Sequence, residues 1–189
     1  MSKRKVILVT DGDRVAQRAV EIAASNIGGR CISGSSGNPT VLTGDQIVDL
    51  IKIAHHDPVV VMVDDRGTKG MGRGEEAMVK IMKNENIELI GIVAVSSNGK
   101  DCNGLDVTCS ITKDGNIIEN AVDKWGNDTR SDRICGDTLS VLRGMKNLVI
   151  VGIGDPGKMD YKDDASKGAP ITTMALKEVM KRSEVQIQQ

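Results

Sequence analysis

Short apolar runs alternate along the chain with stretches whose apolar residues recur at helical spacing. The clearest runs are rich in Val and Ile and lack polar alternation: residues 5–10, 58–63, 87–96 and 147–153. Such runs are typical of strands buried on both faces of a parallel sheet. Between them, Thr43 and Gln46 form the capping-box pattern that starts a helix. The pattern predicts an α/β fold, a mostly parallel sheet with helices on both faces.

The alternation is interrupted once, which defines the organisation of the chain. We predict a single domain over residues 1–189, with its core in residues 1–96. Residues 97–135 are polar and contain several glycines, and the pair Asp114-Gly115 favours a β-hairpin near 105–120. We interpret this stretch as an excursion from the sheet rather than a second domain. Residues 136–185 predict a final helix–strand–helix unit, with its first helix near 137–143.

Composition narrows the range of functions. The chain has 189 residues, 39% of them apolar and 27% charged, and a formal net charge of −1. This length is sufficient to bury a sizeable core. Proteins that coat phosphate backbones usually carry a basic excess, and readers of single strands stack bases on aromatic side chains. Because Trp125 and Tyr161 are the only aromatic residues, nucleic acid is not a predicted partner.

Cysteine and histidine usage argues against a zinc site. The four cysteines form no C-x-x-C pair, and the two histidines, His55 and His56, are adjacent. A structural zinc site needs ligands in short spaced pairs. We therefore predict free thiols in a reducing compartment. No stretch approaches the ~20 consecutive apolar residues of a membrane-spanning helix.

Two acidic pairs follow predicted strands. Asp11 and Asp13 come after the first strand, and Asp64 and Asp65 come after the Val-rich strand at 58–63. Ligands of open α/β sheets bind outside the carboxyl ends of the strands. Carboxylates that converge there are suitable ligands for Mg²⁺, so Asp11, Asp64 and Asp65 are the candidate metal ligands. The competing interpretation is that Asp13 caps a helix and the other carboxylates are solvated turn residues.

A glycine-rich loop follows the second acidic pair. Its backbone N–H groups and basic side chains are candidates for binding an anion: Gly67, Lys69, Gly70, Gly72, Arg73 and Gly74. A surface loop without a ligand is the alternative. Residues 152–158 also have the spacing G-x-x-x-x-G-K, but Met159 replaces the Ser or Thr that binds Mg²⁺ in a P-loop. The polar residues after it do not predict the packed helix of a P-loop, so we expect no nucleotide there.

The segments KVILVTDGDR (5–14), GGRCIS (28–33) and VVMVDDRGTKGMGRG (60–74) resemble the stage V sporulation protein AE family. These are the AE proteins of spore-forming Firmicutes that lack a membrane span, and the resemblance covers essentially the whole chain. It implies expression in the forespore cytoplasm from an operon linked to dipicolinic acid movement. It also implies a role in spore formation or germination, with other sporulation proteins as partners at the periphery of the spore inner membrane. Since the family has no established enzymatic activity, it supplies no catalytic residue.

About the first hundred residues are also similar to a Toprim domain, a metal-dependent phosphoryl-transfer module with a Rossmann-like arrangement. Toprim chemistry uses a Glu after the first strand and Asp-x-Asp after the third. Asp11 stands at the Glu position and Asp64 at the first Asp, but Arg66 replaces the second Asp. A guanidinium repels Mg²⁺, so we interpret the region as a scaffold without its chemistry and the protein as a non-enzymatic accessory. The alternative is a Mg²⁺-dependent phosphoryl-transfer enzyme or a metal- or phosphate-binding domain.

Overall fold

Strands and helices alternate through most of the computed structural model, which describes residues 2–67, 71–97, 104–136, 138–143, 145 and 147–187. The strands are β1 (Arg4–Val9), β2 (Arg30–Cys31), β3 (Val59–Met62), β4 (Ile87–Val95), β5 (Leu105–Asp106), β6 (Cys109–Ile111), β7 (Ile117–Ile118), β8 (Arg133–Ile134) and β9 (Ile150–Ile153). The α-helices are α1 (Arg14–Asn26), α2 (Gly44–Ile53), α3 (Arg73–Lys83) and α4 (Pro170–Ile187). The strand runs predicted at residues 5–10, 58–63, 87–96 and 147–153 match β1, β3, β4 and β9 to within about three residues at each end.

A seven-stranded sheet with the order β2-β3-β1-β4-β9-β6-β7 lies at the centre of the fold. Strands β2, β3, β1, β4, β9 and β6 pair in parallel, and only β7 is antiparallel to its neighbour. The prediction of an α/β fold with a mostly parallel sheet is confirmed.

The sheet is buried on both faces because successive side chains of a strand point in opposite directions. In β1, Ile7 and Val9 pack with residues of α1 and α4, whereas Val6 and Leu8 pack with residues of α2 and α3. All four side chains are at most 1% exposed. This two-sided burial explains why the strand sequences lack polar alternation.

The β-hairpin predicted near residues 105–120 is present, but it does not lie where the sequence analysis placed it. The hairpin exists, since β6 and β7 pair through Ser110–Ile118 and Ile111–Ile117. However, β6 also pairs in parallel with β9, so the hairpin extends the main sheet instead of leaving it. The excursion consists of β5 and β8, which form a separate two-stranded antiparallel sheet.

The helix predicted near 137–143 is wrong. The structure has a single 3₁₀ turn at Ser140–Leu142, and Asp137 lies outside the described residues. The backbone N–H and the hydroxyl of Ser140 both donate to the carboxylate of the buried Glu75 on α3. This contact and the burial of Leu142 hold one turn against α3, and the chain is extended again at Arg143.

The cysteines are only partly as predicted. Cys31 and Cys109 are free and buried, and Cys135 is disulfide-bonded. The prediction of free thiols is therefore wrong at Cys135, and Cys102 lies outside the described residues. Within the described part of the chain, no helix is both long and apolar enough to cross a membrane.

Candidate functional site

The carboxyl ends of β1 and β3 meet at one edge of the sheet, as the sequence predicts. Both strands pair in register, with Val9 opposite Met62. The helix that follows β1 packs on one face of the sheet and the helix that follows β3 packs on the other. Such a reversal of the connections is where open parallel sheets bind ligands. Asp11, Asp13, Asp64 and Asp65 all lie at this edge.

Asp11 is the most electrostatically perturbed group of the edge. Its half-buried carboxylate accepts one hydrogen bond, from the backbone N–H of Asp13 at 3.2 Å. Burial is the largest of the effects that raise the pKa of Asp11 to about 7. The carboxylates of Asp13, Asp155 and Asp64 add to the rise in that order, because like charges disfavour ionisation. The fold thus gathers three carboxyl groups around that of Asp11.

Asp65 acts as a helix cap from a distance. Its buried carboxylate accepts hydrogen bonds from the backbone N–H groups of Gly74 at 2.6 Å and Glu75 at 3.2 Å. These two groups belong to the first turn of α3 and have no acceptor within the helix. Burial raises the pKa of Asp65, although the N–H group of Gly74 opposes the rise. The Asp65 carboxylate therefore supplies the acceptor that Gly72, the residue before α3, lacks.

Asp64 is held in place through its backbone. Its N–H donates to the Thr40 hydroxyl at 2.8 Å, and its carbonyl accepts from the Thr40 N–H at 2.9 Å. Its carboxylate accepts a hydrogen bond from the backbone N–H of Arg66 at 2.7 Å. Arg66 itself is exposed. Asp64 is thus fixed by the segment after β2 and by its own turn.

The glycine-rich loop is shaped by the two aspartates before it. A Cβ atom on Gly72 would fall inside van der Waals contact of the Asp65 carboxylate, and one on Gly74 would lie 2.8 Å from the backbone nitrogen of Asp64. The anion at the start of α3 is therefore the protein's own Asp65. Gly67 lies in the turn after Arg66 with a positive φ of 66°.

The basic residues of the predicted anion-binding group lie only partly within the described part of the chain. Arg73 is exposed on the first residue of α3, whereas Lys69 and Gly70 lie outside the described residues. The predicted anion site stays a prediction.

The segment after β2 lies across the ends of β1 and β3. The N–H of Gly37 donates to the carbonyl of Gly12 at 2.7 Å, and a Cβ atom on Gly12 would be 2.5 Å from the Gly37 carbonyl oxygen. Thr40 continues the same segment to Asp64. Backbone therefore fills part of the crevice between the two strand ends.

Asp155, which follows β9, was not among the candidate site residues. Its carboxylate accepts from the N–H of Gly157 at 2.7 Å and contributes to the raised pKa of Asp11. The sequence offered one signal for it, because both β1 and β9 are followed by a Gly–Asp pair. The Asp155 side chain thus occupies the turn with P-loop spacing, and the next α-helix begins only at Pro170.

The metal prediction is not tested by this geometry. In the part of the chain that the structure describes, no group of three or more His, Cys, Asp or Glu residues is arranged to hold a metal ion. Asp11 and Asp64 lie within electrostatic reach of each other, whereas the Asp65 carboxylate is directed to the start of α3. The assignment of Asp11, Asp64 and Asp65 as metal ligands stays a prediction.

Comparison with models of known protein families gives a match over most of the chain. A family model described as stage V sporulation protein AE1 matches residues 5–183. Neither a curated protein nor a solved structure matches the chain.

Proposed function

Because the chain belongs to the stage V sporulation protein AE1 family, we propose that it is a non-catalytic accessory protein of spore formation and germination. It acts by binding other sporulation proteins at the periphery of the spore inner membrane, on the forespore side. The process it serves is linked to dipicolinic acid movement.

The observation that supports this proposal is the capping of α3 by the Asp65 carboxylate. Asp65, one of the three candidate metal ligands and the middle residue of the Toprim Asp-x-Asp pattern, directs its carboxylate to the backbone N–H groups of Gly74 and Glu75 of α3. Arg66 stands where the Toprim pattern has its last carboxylate. Because one candidate metal ligand caps a helix and a cation replaces the last carboxylate of the Toprim pattern, this edge is poorly suited to metal-dependent phosphoryl transfer.

The test is a deletion strain complemented with two forms of the gene. We expect deletion to lower the dipicolinic acid content of spores or to slow germination, and the wild-type gene to restore both. The double variant Asp11→Asn, Asp64→Asn should restore them equally well, because a binding role does not need these carboxylates. A deletion strain with normal spore yield, dipicolinic acid content and germination contradicts the proposal. Failure of a folded double variant to complement supports the enzymatic alternative.

A Mg²⁺-dependent domain is the second candidate, and the crowding of carboxylates around Asp11 favours it. Asp13, Asp155 and Asp64 all disfavour ionisation of Asp11, which a bound cation would reverse. Mg²⁺ is commonly held by one or two carboxylates together with water and substrate phosphates. Calorimetric titration with Mg²⁺ and Mn²⁺ should then show binding that Asp64→Asn abolishes. A flat titration of the wild-type protein eliminates this candidate.

A further inference from the structure

The cysteines of the chain differ in oxidation state and in exposure. Cys31 and Cys109 are free and only 8% and 1% exposed, and burial is the main effect that raises the pKa of both thiols. Cys135 is half-buried and disulfide-bonded. Since the chain has four cysteines, the partner of Cys135 is by elimination Cys102, which lies outside the described residues. The most exposed of the described cysteines is thus the one that is already oxidised.

Cys135 lies at the carboxyl end of β4. It directly follows β8, and its carbonyl accepts a hydrogen bond at 2.8 Å from the N–H of Ser97, two residues after β4. A Cβ atom on the next residue, Gly136, would be 2.6 Å from the carbonyl oxygen of Val95. The disulfide-bonded residue therefore lies at the same edge of the sheet as the candidate site.

The chain beyond Cys135 packs on the start of α3. The backbone N–H and the hydroxyl of Ser140 both donate to the carboxylate of Glu75, in the first turn of that helix. Leu139 and Leu142 are 4% and 1% exposed. Residues 138–142 are thus held between the disulfide and α3, and we call them the bridging segment.

Thr138, the first residue of the bridging segment, has a strained backbone. Its φ is 65°, in the left-handed region that β-branched residues rarely occupy. Such a conformation persists only where the surrounding structure imposes it. Here the constraints are the contact of Ser140 with α3 on one side and the disulfide of Cys135 on the other. Loss of one constraint therefore favours relaxation of the backbone at Thr138.

The bridging segment also lies beside the carboxylate that caps α3. Burial raises the pKa of Asp65, and the hydroxyl of Thr138 is among the groups that oppose this rise. Asp65 is 3% exposed and Thr138 is 5% exposed. Movement of the bridging segment would therefore admit water to the start of α3.

We propose that the disulfide of Cys135 is a redox switch: the intact bond keeps the bridging segment against α3, and its reduction by a dithiol releases the segment. One thiolate of the dithiol attacks a sulfur of the disulfide and forms a mixed disulfide, and the second thiol then displaces the protein sulfur. The protein gains two electrons and two protons and ends with two thiols, and the reductant ends as its own disulfide.

The switch goes beyond the proposed function, although one argument for it rests on that function. The forespore side of the membrane is a reducing compartment, where a disulfide is usually transient and redox-sensing. In an oxidising compartment, the same bond would be a permanent link that stabilises the stretch between residues 102 and 135.

Hydrogen exchange of the folded protein measures the release directly. We expect dithiothreitol to speed the exchange of amides in the bridging segment and in the first turn of α3 at least about tenfold, with α2 unchanged. Cys135→Ser should exchange at the fast rate without the reductant. The matched control, Cys31→Ala, removes a buried free thiol and should respond to dithiothreitol as the wild type does.

Three results overturn the proposal. The first is alkylation of all four cysteines in denatured protein that has met no reductant, where we expect only Cys31 and Cys109 to react. The second is unchanged exchange in the bridging segment after reduction. The third is equally fast exchange in α2, which would mean that reduction unfolds the whole protein and that the bond is a structural link only.

Thiol trapping in cells tests the switch separately from the function. Alkylation in forespores and in germinating spores should give different oxidised fractions of Cys135, and identical fractions contradict the switch. A deletion strain without a phenotype contradicts the proposed function instead, and the hydrogen-exchange result still decides whether the bond controls the bridging segment.

Discussion

The ends of β1 and β3 carry similar acidic sequences and use them differently. After β1, α1 begins within a few residues, and Asp13 caps it by accepting from the N–H groups of Val15 at 2.8 Å and Ala16 at 2.9 Å. After β3, α3 begins eight residues beyond Asp65, and Asp65 still caps it. Both pairs therefore contain one carboxylate that a helix requires.

The remaining carboxylates differ in their surroundings. Asp64 is fixed through its backbone to Thr40 and accepts from Arg66, whereas Asp11 has one N–H donor and three neighbouring carboxylates. The comparison teaches that an acidic pair after a strand is first a means of starting the next helix. Asp11 differs from the other three carboxylates, because it neither caps a helix nor is fixed through its backbone to the segment after β2, and it lies among like charges.

The largest expected effect comes from the contact between α3 and the end of β3. Gly74→Ala places a methyl group 2.8 Å from the backbone nitrogen of Asp64, and backbone moves at greater cost than a flexible side chain. We expect a loss of about 3 kcal/mol in the free energy of unfolding, measured with urea. Gly34→Ala is the control, because its new Cβ atom would be in ordinary contact with Leu42 at 3.4 Å. Equal stability of the two variants would show that α3 does not depend on this approach.

Removal of the Asp65 carboxylate, which caps α3 from nine residues before Gly74, should lower the free energy of unfolding by a smaller amount. Asp65→Ala leaves the N–H groups of Gly74 and Glu75 buried without their acceptor, which we expect to cost about 2 kcal/mol in urea unfolding. Asp65→Asn keeps one acceptor oxygen and should recover part of the loss. An Asp65→Ala variant as stable as the wild type would mean that this carboxylate is kept for another purpose, such as metal binding.

The pH dependence of stability distinguishes Asp11 from the capping residues. Its pKa rises from 3.8 to about 7 on folding, so between these values the folded protein holds a proton that the unfolded chain has released. Stability from this group therefore falls as pH rises through that window and is constant above it. A shift of this size corresponds to about 4 kcal/mol, which the partial exposure of Asp11 and the higher effective dielectric constant around it reduce. We therefore expect Asp11→Asn to be about 1.5 kcal/mol more stable than the wild type at pH 8, with no gain at low pH. A gain that is the same at both pH values would contradict the raised pKa.

The smallest effect is expected at the local cap. Asp13→Ala removes the acceptor for Val15 and Ala16, but this end of α1 is partly solvated, and water replaces some of the lost bonds. We expect Asp13→Ala to lower the free energy of unfolding by about 1 kcal/mol. The measurement is made at pH 5, where Asp11 is protonated. Asp49→Ala, at an exposed ion pair on α2, should change stability by less than about 0.5 kcal/mol. A larger loss of stability in Asp13→Ala than in Asp65→Ala would contradict the prediction that the cap at the end of β3 contributes more than the cap at the end of β1.

Local patterns were sufficient for the elements of the core. Thr43 and Gln46 form the capping box that their spacing predicts, and Asp13 caps α1 as its position after the strand suggested. Both interactions span two or three residues, so the sequence contains them directly. The caps that were missed are remote. Asp65 lies nine residues before Gly74, and the buried Asp163 accepts from Ile171 and Thr172 at the start of α4.

The candidate site was predicted in its location but not in its composition. The strand ends that carry Asp11 and Asp64 could be placed at one edge because parallel strands share their direction. Asp155 joins them only because β9 inserts between β4 and β6. Nothing in the local sequence gives that strand order.

What the sequence by itself determined is the set of elements, the two-sided burial of the sheet and the absence of aromatic side chains from the core. These follow from the types and spacing of residues within a few positions of one another. Only the tertiary structure decided which carboxylates cap helices, which one lies among like charges, and how far Trp125 and Tyr161 are exposed. Those outcomes depend on contacts between distant segments, where the direction of a hydrogen bond or the approach of two backbones decides what a side chain does.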